Sequence, residues 1–253
     1  MKSMKQKLTS GELVIGTMVS EMRIPAIARM LNAGGMDFMI LDAEHGPFSY
    51  ESLADIAAVA AGLRISCLSR IPEISRETIM KPLDVGMDGI IIPQVEEQEQ
   101  VRQVIEYTKY PPMGHRGVAL RRGHSGYVAY PAKEYLERAN NHTIIAVQIE
   151  SQLAVDHVEE IISVPGVDVA FVGPFDLSVS MGIPGELEHA GLHTAIRRVI
   201  EACKRCHVVA GLMQFNINSA RKWINEGIRF MVYSSDVNMI TDQAAEHVRA
   251  LRS

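Results

Sequence analysis

Leu83-Asp84-Val85-Gly86-Met87-Asp88-Gly89-Ile90-Ile91-Ile92-Pro93-Gln94 holds a helix end, a turn and a strand in a dozen residues. The spacing that leads up to Val85 is helical. Gly86 supplies the left-handed residue that closes a helix, and the isoleucine run reads as a strand buried on both faces. The phrase returns as Asn32-Ala33-Gly34-Gly35-Met36-Asp37 and, shortened, as Asn225-Glu226-Gly227-Ile228-Arg229, each leading straight into another apolar run.

Working outward from these phrases, apolar runs at 13–19, 37–42, 66–70, 89–94, 144–149, 169–173, 208–213 and 230–233 read as strands. Amphipathic segments at 25–32, 50–61, 77–85, 98–108, 152–163, 192–206, 219–226 and 236–251 read as helices. Ser219 is an N-cap candidate, and Gly34, Gly86 and Gly227 are helix ends. Eight strand–helix units in 253 residues predict an α/β fold, a (β/α)8 TIM barrel forming a single domain over 1–253. A doubly wound open sheet is the second reading. It lacks its usual Gly-rich first turn, since Val14-Ile15-Gly16-Thr17-Met18 is not one. One excursion, Tyr110 to Asn141, interrupts the alternation and reads as an extended loop before strand five.

The formal charge is −5, with acids and bases interspersed, which disfavours nucleic acid or an anionic membrane surface as partner. No apolar run reaches membrane-span length, and residues 1–16 lack the apolar centre of a signal peptide, so a cytoplasmic protein is expected. Cys67, Cys203 and Cys206 suit a reducing compartment. Cys203-Lys204-Arg205-Cys206-His207 matches the c-type haem attachment pattern. Haem of that kind requires export, and a zinc site would need further ligands, so neither is expected.

In a barrel, chemistry gathers at the C-terminal ends of the strands. Those ends read Asp42-Ala43-Glu44-His45-Gly46-Pro47, Arg70, Pro93-Gln94, Gln148-Ile149-Glu150, Gly173-Pro174-Phe175-Asp176, Met213-Gln214 and Ser234-Ser235-Asp236. Glu150 and Asp176 leave neighbouring strands and form an oxygen-rich pair suited to Mg²⁺, Mn²⁺ or a similar octahedral ion. Each alone reads more readily as a helix-capping or first-turn acid, and it is the pairing on neighbouring strands that favours the metal. His45 before Gly-Pro is a candidate acid/base, or an exposed loop histidine. Arg70 can bind a carboxylate, or can pair with Asp42 or Glu44. No lysine falls at a strand end, which disfavours a Schiff base and leaves a metal as the electron sink. The loops after strands seven and eight lack a Gly-rich phosphate site, so simple carboxylates are expected over phosphorylated substrates.

From about Gly16 onward the chain resembles the HpcH/HpaI aldolase family, the class II pyruvate aldolases. The resemblance rests on Leu41–Pro47, Tyr110–Val118, Val147–Glu150 and Phe171–Ser178. It implies a divalent metal (Mg²⁺, Mn²⁺ or Co²⁺) held by Glu150 and Asp176, and proton transfer through His45. Arg70 would contact pyruvate and stabilise its enolate. Asp84 of a neighbouring subunit would orient His45, Gln148 would lie near the substrate, and the backbone amides of Phe175 and Asp176 would hold the pyruvate carboxylate. It further implies a hexamer, with the last helix (about 236–251) packed on a neighbour. The activity implied is cleavage or formation of a 4-hydroxy-2-oxo acid, giving an aldehyde and a metal-bound pyruvate enolate. An oxaloacetate-type decarboxylase, a citrate-lyase-like acyl-CoA lyase and a non-catalytic metabolite-binding barrel are the other readings. After Val118 the chain departs from the family pattern with Arg121, Arg122 and His124. These fit an acidic or polyhydroxylated aldehyde, or plain surface charge.

Overall fold

A computed structural model describes residues 2–253. Eight parallel strands close in sequence order into one barrel. They are β1 (Val14–Val19), β2 (Phe38–Asp42), β3 (Ser66–Arg70), β4 (Gly89–Ile92), β5 (Ile144–Ile149), β6 (Val169–Val172), β7 (Val209–Gln214) and β8 (Phe230–Ser235). The helices are α1 (Met4–Thr9), α2 (Ala26–Ala33), α3 (Tyr50–Ala60), α4 (Arg76–Val85), α5 (Gln98–Thr108), α6 (Ala132–His142), α7 (Gln152–Asp156), α8 (Val158–Ile162), α9 (Pro174–Ser180), α10 (Ala190–Cys206), α11 (Ile217–Glu226) and α12 (Asp236–Arg252). Among the described residues no helix is long and apolar enough to cross a membrane.

Strand parity sorts the core. Ile90 and Ile92 pack outward under the helices with the β5 residues Ile145 and Val147. Phe38, Ile40, Leu68, Ile91, Ala146, Phe171, Phe230 and Val232 fill the barrel. Gly16 makes this filling possible. A Cβ there would lie 2.5 Å from the Phe38 ring, which stacks on Phe230 at 4.3 Å between centroids. The floor is α1, whose Met4 and Leu8 join the interior cluster. The sequence reading assigned no element there, although Ser3 and Gln6 form a reciprocal capping box.

Several expectations need correction. β4 stops at Ile92 because Pro93 has no N–H to donate and Gln94 turns left-handed at φ 51°. The helix expected over 152–163 breaks at His157, whose Nδ1 lies 3.2 Å from the Glu96 carbonyl. Asn216, rather than Ser219, caps α11, its side chain accepting from the Asn218 and Ser219 amides. Gly35 at φ 83°, rather than Gly34, carries the left-handed turn after α2.

The extended loop before β5 contains a helix, α6. Its two ends are clamped together where Tyr110 N–H donates to Asn140 Oδ1 (2.8 Å) and Asn140 Nδ2 donates to the Tyr110 carbonyl (2.9 Å). Lys109 is buried beside them and donates to the carbonyls of Asn140 (2.7 Å) and Thr143 (2.9 Å). Burial, reinforced by Lys5, lowers its amine to about 7. α5 runs antiparallel to β4 and sets the chain down at the bottom of the barrel, and β5 must start from that same end. The excursion therefore spreads beneath the barrel and along the flank of α4, away from the catalytic end.

Candidate active site

The strand ends bring five of the expected side chains, His45, Arg70, Gln148, Glu150 and Asp176, to one mouth, each by a definite local device. Asp42 ends β2 and caps the turn after it, accepting from the amides of Glu44 (3.2 Å) and His45 (3.3 Å). Gly46 then passes so close to the β1 end that a Cβ would lie 2.6 Å from the Ser20 carbonyl. This turn carries the His45 side chain outward, 69% exposed, with Nε2 3.8 Å from Glu44.

Arg70 ends β3, in register with Asp42. Its fork is bidentate on Asp42, Nε to Oδ1 at 2.9 Å and Nη2 to Oδ2 at 2.7 Å, and Nη1 lies 3.1 Å from Glu44. The ion pairing weighed from sequence is present, and it involves both acids. Burial pushes the Asp42 carboxyl up, but the Arg70 hydrogen bonds and charge outweigh it and hold the group below its usual range. Glu44 goes the other way. Its burial, with Asp42 and Asp176 nearby, outweighs Arg70 and raises it.

Glu150 sits just past β5 and is only 7% exposed. Its Oε1 accepts from the Gln94 amide at 2.6 Å, and its Oε2 accepts from Gln148 Nε2 at 2.5 Å. The carboxyl is pushed up to about 7, first by burial and then by the charges of Asp176 and Glu44. Gly173 leaves room for it, since a Cβ there would meet Glu150 Oε2 at 2.7 Å. Gln148 is buried too, and its Oε1 has no partner. Asp176 lies exposed in the first turn of α9. That helix's ladder begins with Leu177 N–H on the Gly173 carbonyl (3.0 Å), so the amides of Phe175 and Asp176 are donors of an open first turn.

Three carboxylates, Glu44, Glu150 and Asp176, thus repel one another across the mouth, and a buried amide oxygen beside them lacks a donor. A divalent cation fits that set. The described residues contain no group of three or more potential ligands able to cage an ion by themselves. Glu150 and Asp176 would leave the remaining octahedral positions to water and substrate.

Asp84 does not join this mouth. It lies at the C-terminal end of α4, hence at the opposite end of the barrel, and pairs with Arg116 at 2.7 Å. The Arg121–His124 stretch is also away from the mouth of its own chain. Gly123 backs onto Val85, where a Cβ would come 2.7 Å from the Val85 carbonyl, and His124 hydrogen-bonds Tyr135. The bottom-side course of the excursion is the reason. Lys109, the buried amine lowered to about 7, likewise lies at that end.

Reasoning from sequence gave no role to two residues. Gln94 uses its left-handed backbone to aim an amide at Glu150, and the Pro93-Gln94 strand end was the available signal. Asp236 is buried and accepts from the amides of Ser20 (2.9 Å), Glu21 (3.1 Å) and Met22 (2.8 Å), fixing the β1–α2 turn against which Gly46 rests. No local sequence pattern announces a contact 216 residues apart.

The comparisons agree with this fold. Residues 18–242 match the family model described as HpcH/HpaI aldolase/citrate lyase, and the chain belongs to that family. It is 33% identical to a 5-keto-4-deoxy-D-glucarate aldolase of Klebsiella pneumoniae over 85% of this chain and 83% of the relative. It is 29% identical to the 2-keto-3-deoxy-L-rhamnonate aldolase of Escherichia coli K12 over 98% and 92%. The crystal structure of an HpcH/HpaI aldolase from Desulfitobacterium hafniense superposes with a TM-score of 0.96 at 31% identity, covering 99% of this chain and 96% of that one. The protein is accordingly a carbon–carbon lyase of the aldolase type.

Proposed function

We propose that this chain is a metal-dependent pyruvate aldolase that cleaves or forms 4-hydroxy-2-oxo acids. The observation that carries the reading is Glu150, a buried carboxyl pushed up to about 7 and facing Asp176 and Glu44. Such an arrangement is costly without a cation and useful with one. Glu150 and Asp176 would hold the ion, which when bound supplies a Lewis acid that draws charge from the 2-oxo group.

The chain's own groups do the rest. The open amides of Phe175 and Asp176 receive the substrate carboxylate. Gln148 Oε1 accepts a hydrogen bond inside the mouth. Arg70, already fixed by Asp42 and Glu44, presents a preorganised cation to the developing enolate oxygen. In the cleavage direction the 4-hydroxyl gives up its proton towards His45, the C3–C4 pair passes into the enolate of pyruvate, and the aldehyde leaves. Protonation of C3 then gives the methyl group.

The assembly completes this reading. Asp84 is one-fifth exposed and lies far from its own His45, so a neighbouring subunit is the source from which it would reach a histidine. Support for α12 as an assembly element comes from its exposed Val237, Ile240, Val248 and Leu251, with Asp236 its one buried residue. We take the assembly to be a hexamer.

The test is deuterium exchange into the pyruvate methyl group, followed by NMR, in chelator and with Mg²⁺, Mn²⁺ or Co²⁺ restored. Exchange that depends on added metal is expected. Equal exchange after exhaustive metal removal would overturn the reading.

A further inference from the structure

We infer that Asp236 is a positioning residue for the proton transfer at His45, acting through the turn that follows β1. This inference rests on the pyruvate reading above and deepens it by naming what holds the histidine in place.

The end of β8 is built to aim this carboxylate across the barrel rim. The pairing of β1 with β8 shifts register between Gly16 and Met18. Ser234 turns left-handed there at φ 59°, and its carbonyl accepts from Thr17 Oγ1 at 3.1 Å. Ser235 caps α12, its Oγ accepting from the Asn238 amide at 3.2 Å, so the helix does not need Asp236 as its cap. Oδ1 of Asp236 accepts from the amides of Ser20 and Val237, each at 2.9 Å. Oδ2 accepts from those of Glu21 (3.1 Å) and Met22 (2.8 Å). Three successive amides of the β1–α2 turn thus converge on one carboxylate that is 4% exposed. Such charge-assisted bonds are about twice as strong as neutral ones.

The turn fixed in this way is a wall of the turn that bears His45. A Cβ on Gly46 would lie 2.6 Å from the Ser20 carbonyl, so the two backbones touch with no side chain between them. Arg23 adds a second tie, donating to the Pro47 carbonyl at 3.4 Å. The His45 backbone is therefore held on one side by Asp42, which accepts its amide at 3.3 Å, and on the other by Ser20 through Gly46. The His45 side chain is 69% exposed, with Nε2 3.8 Å from Glu44. Its backbone sets where the imidazole stands, and Asp84 of a neighbour would orient the ring from that place. The groups assigned to metal and pyruvate hang from β3, β5 and α9 instead. Loosening the β1–α2 turn should slow the proton step without weakening the hold on pyruvate.

The experiment is pyruvate methyl exchange with metal-loaded Asp236→Asn, read as kcat and KM. Whichever way the new amide turns, its NH2 faces at least one amide of the turn and forfeits that bond. We expect kcat to fall about 10–100-fold, the scale of a misplaced reacting group, with the pyruvate KM within about twofold of wild type. Asp236→Asn combined with His45→Asn should exchange no more slowly than His45→Asn alone, since an absent histidine cannot be misplaced. Asp37→Asn is the structural control. Asp37 accepts from the Ile15 amide at 3.0 Å and pairs with Lys7 at 2.6 Å at the opposite end of the barrel. Its loss should lower the melting temperature and leave kcat unchanged. Asp236→Glu keeps the charge, guards against a folding defect, and should fall between wild type and Asp236→Asn.

An Asp236→Asn protein with unaltered kcat overturns the inference while wild-type exchange persists. So does a rise in KM that matches the fall in kcat, a loss that adds in full to that of His45→Asn, or an equal loss from Asp37→Asn. If Asp236→Asn does not fold, Asp236→Glu is judged by the same outcomes. Absence of exchange in the wild type overturns the pyruvate reading and this inference with it.

Discussion

Glu150→Gln should stabilise the metal-free protein and abolish its chemistry. The carboxyl is pushed from 4.5 to about 7, chiefly by burial. That rise makes the ionised form cost about 3 kcal/mol in the folded state. The sign follows from linkage. Below pH 4.5 both folded and unfolded chains hold the proton, and the group contributes no difference. Between 4.5 and about 7 the unfolded chain ionises while the folded chain resists, so the cost grows as pH rises. Above about 7 it is constant.

A glutamine keeps the oxygen that accepts from the Gln94 amide. Its new NH2 would face Gln148 Nε2, a conflict removed if the Gln148 amide turns over to present its unpartnered Oε1. Allowing about 1 kcal/mol for that adjustment, the net gain at pH 8 is about 2 kcal/mol, or roughly 4–8 °C in melting temperature for a domain of this size. Calorimetry in chelator at pH 8 and pH 5 reads it: a gap at pH 8 that shrinks at pH 5. Saturating metal should reverse the order, since ligand at a hundred times its Kd stabilises the wild type by about 2.7 kcal/mol. A Glu150→Gln protein that melts lower than wild type in chelator at pH 8, or whose gap ignores pH, would refute the reasoning.

Arg70→Lys loses the fork on Asp42 and the contact with Glu44, so we expect a loss of about 2–4 kcal/mol in urea unfolding and methyl exchange slower by about 10²–10³; unchanged exchange would remove Arg70 from the reaction. His45→Asn should leave unfolding within about 0.5 kcal/mol, because the side chain is largely exposed, while exchange falls by about 10² or more. If Asp84 serves a neighbour, mixing refolded His45→Asn and Asp84→Asn subunits should restore up to about a quarter of the wild-type sites, as a two-fold interface pairs one intact histidine with one intact aspartate; mixtures no more active than their parents would place Asp84 elsewhere. Truncation after Asn238 keeps Asp236 and its bonds to the β1–α2 turn, and light scattering should show a smaller assembly; an unchanged mass would show that α12 is not an assembly element.

The alternation of apolar runs with helical spacing settled the barrel before any coordinate, because a strand buried on both faces and a helix with one apolar stripe have different periods, each readable within about ten residues. The strand ends followed directly, and with them Glu150, Asp176, Arg70 and His45 as a set. Three-dimensional packing decided how that set is arranged. The sequence left Arg70 between an ion pair and a substrate contact, and only the convergence of β2 and β3 shows that Asp42 and Glu44 both hold it. It left Glu150 as a metal ligand or a helix cap, and its raised carboxyl arises from desolvation and from charges on other strands, neither of which is local.

The course of the excursion was likewise beyond local reading. The family resemblance let Arg121 and Arg122 be read as contacts to the aldehyde. The antiparallel return of α5 puts their segment against the far end of α4, with Asp84. Residue type and period are properties of neighbours along the chain, so the sequence by itself determined the barrel and the chemistry on offer at its strand ends. Burial, mutual repulsion and the end of the barrel at which a segment lies are properties of neighbours in space, and only the tertiary structure decided them.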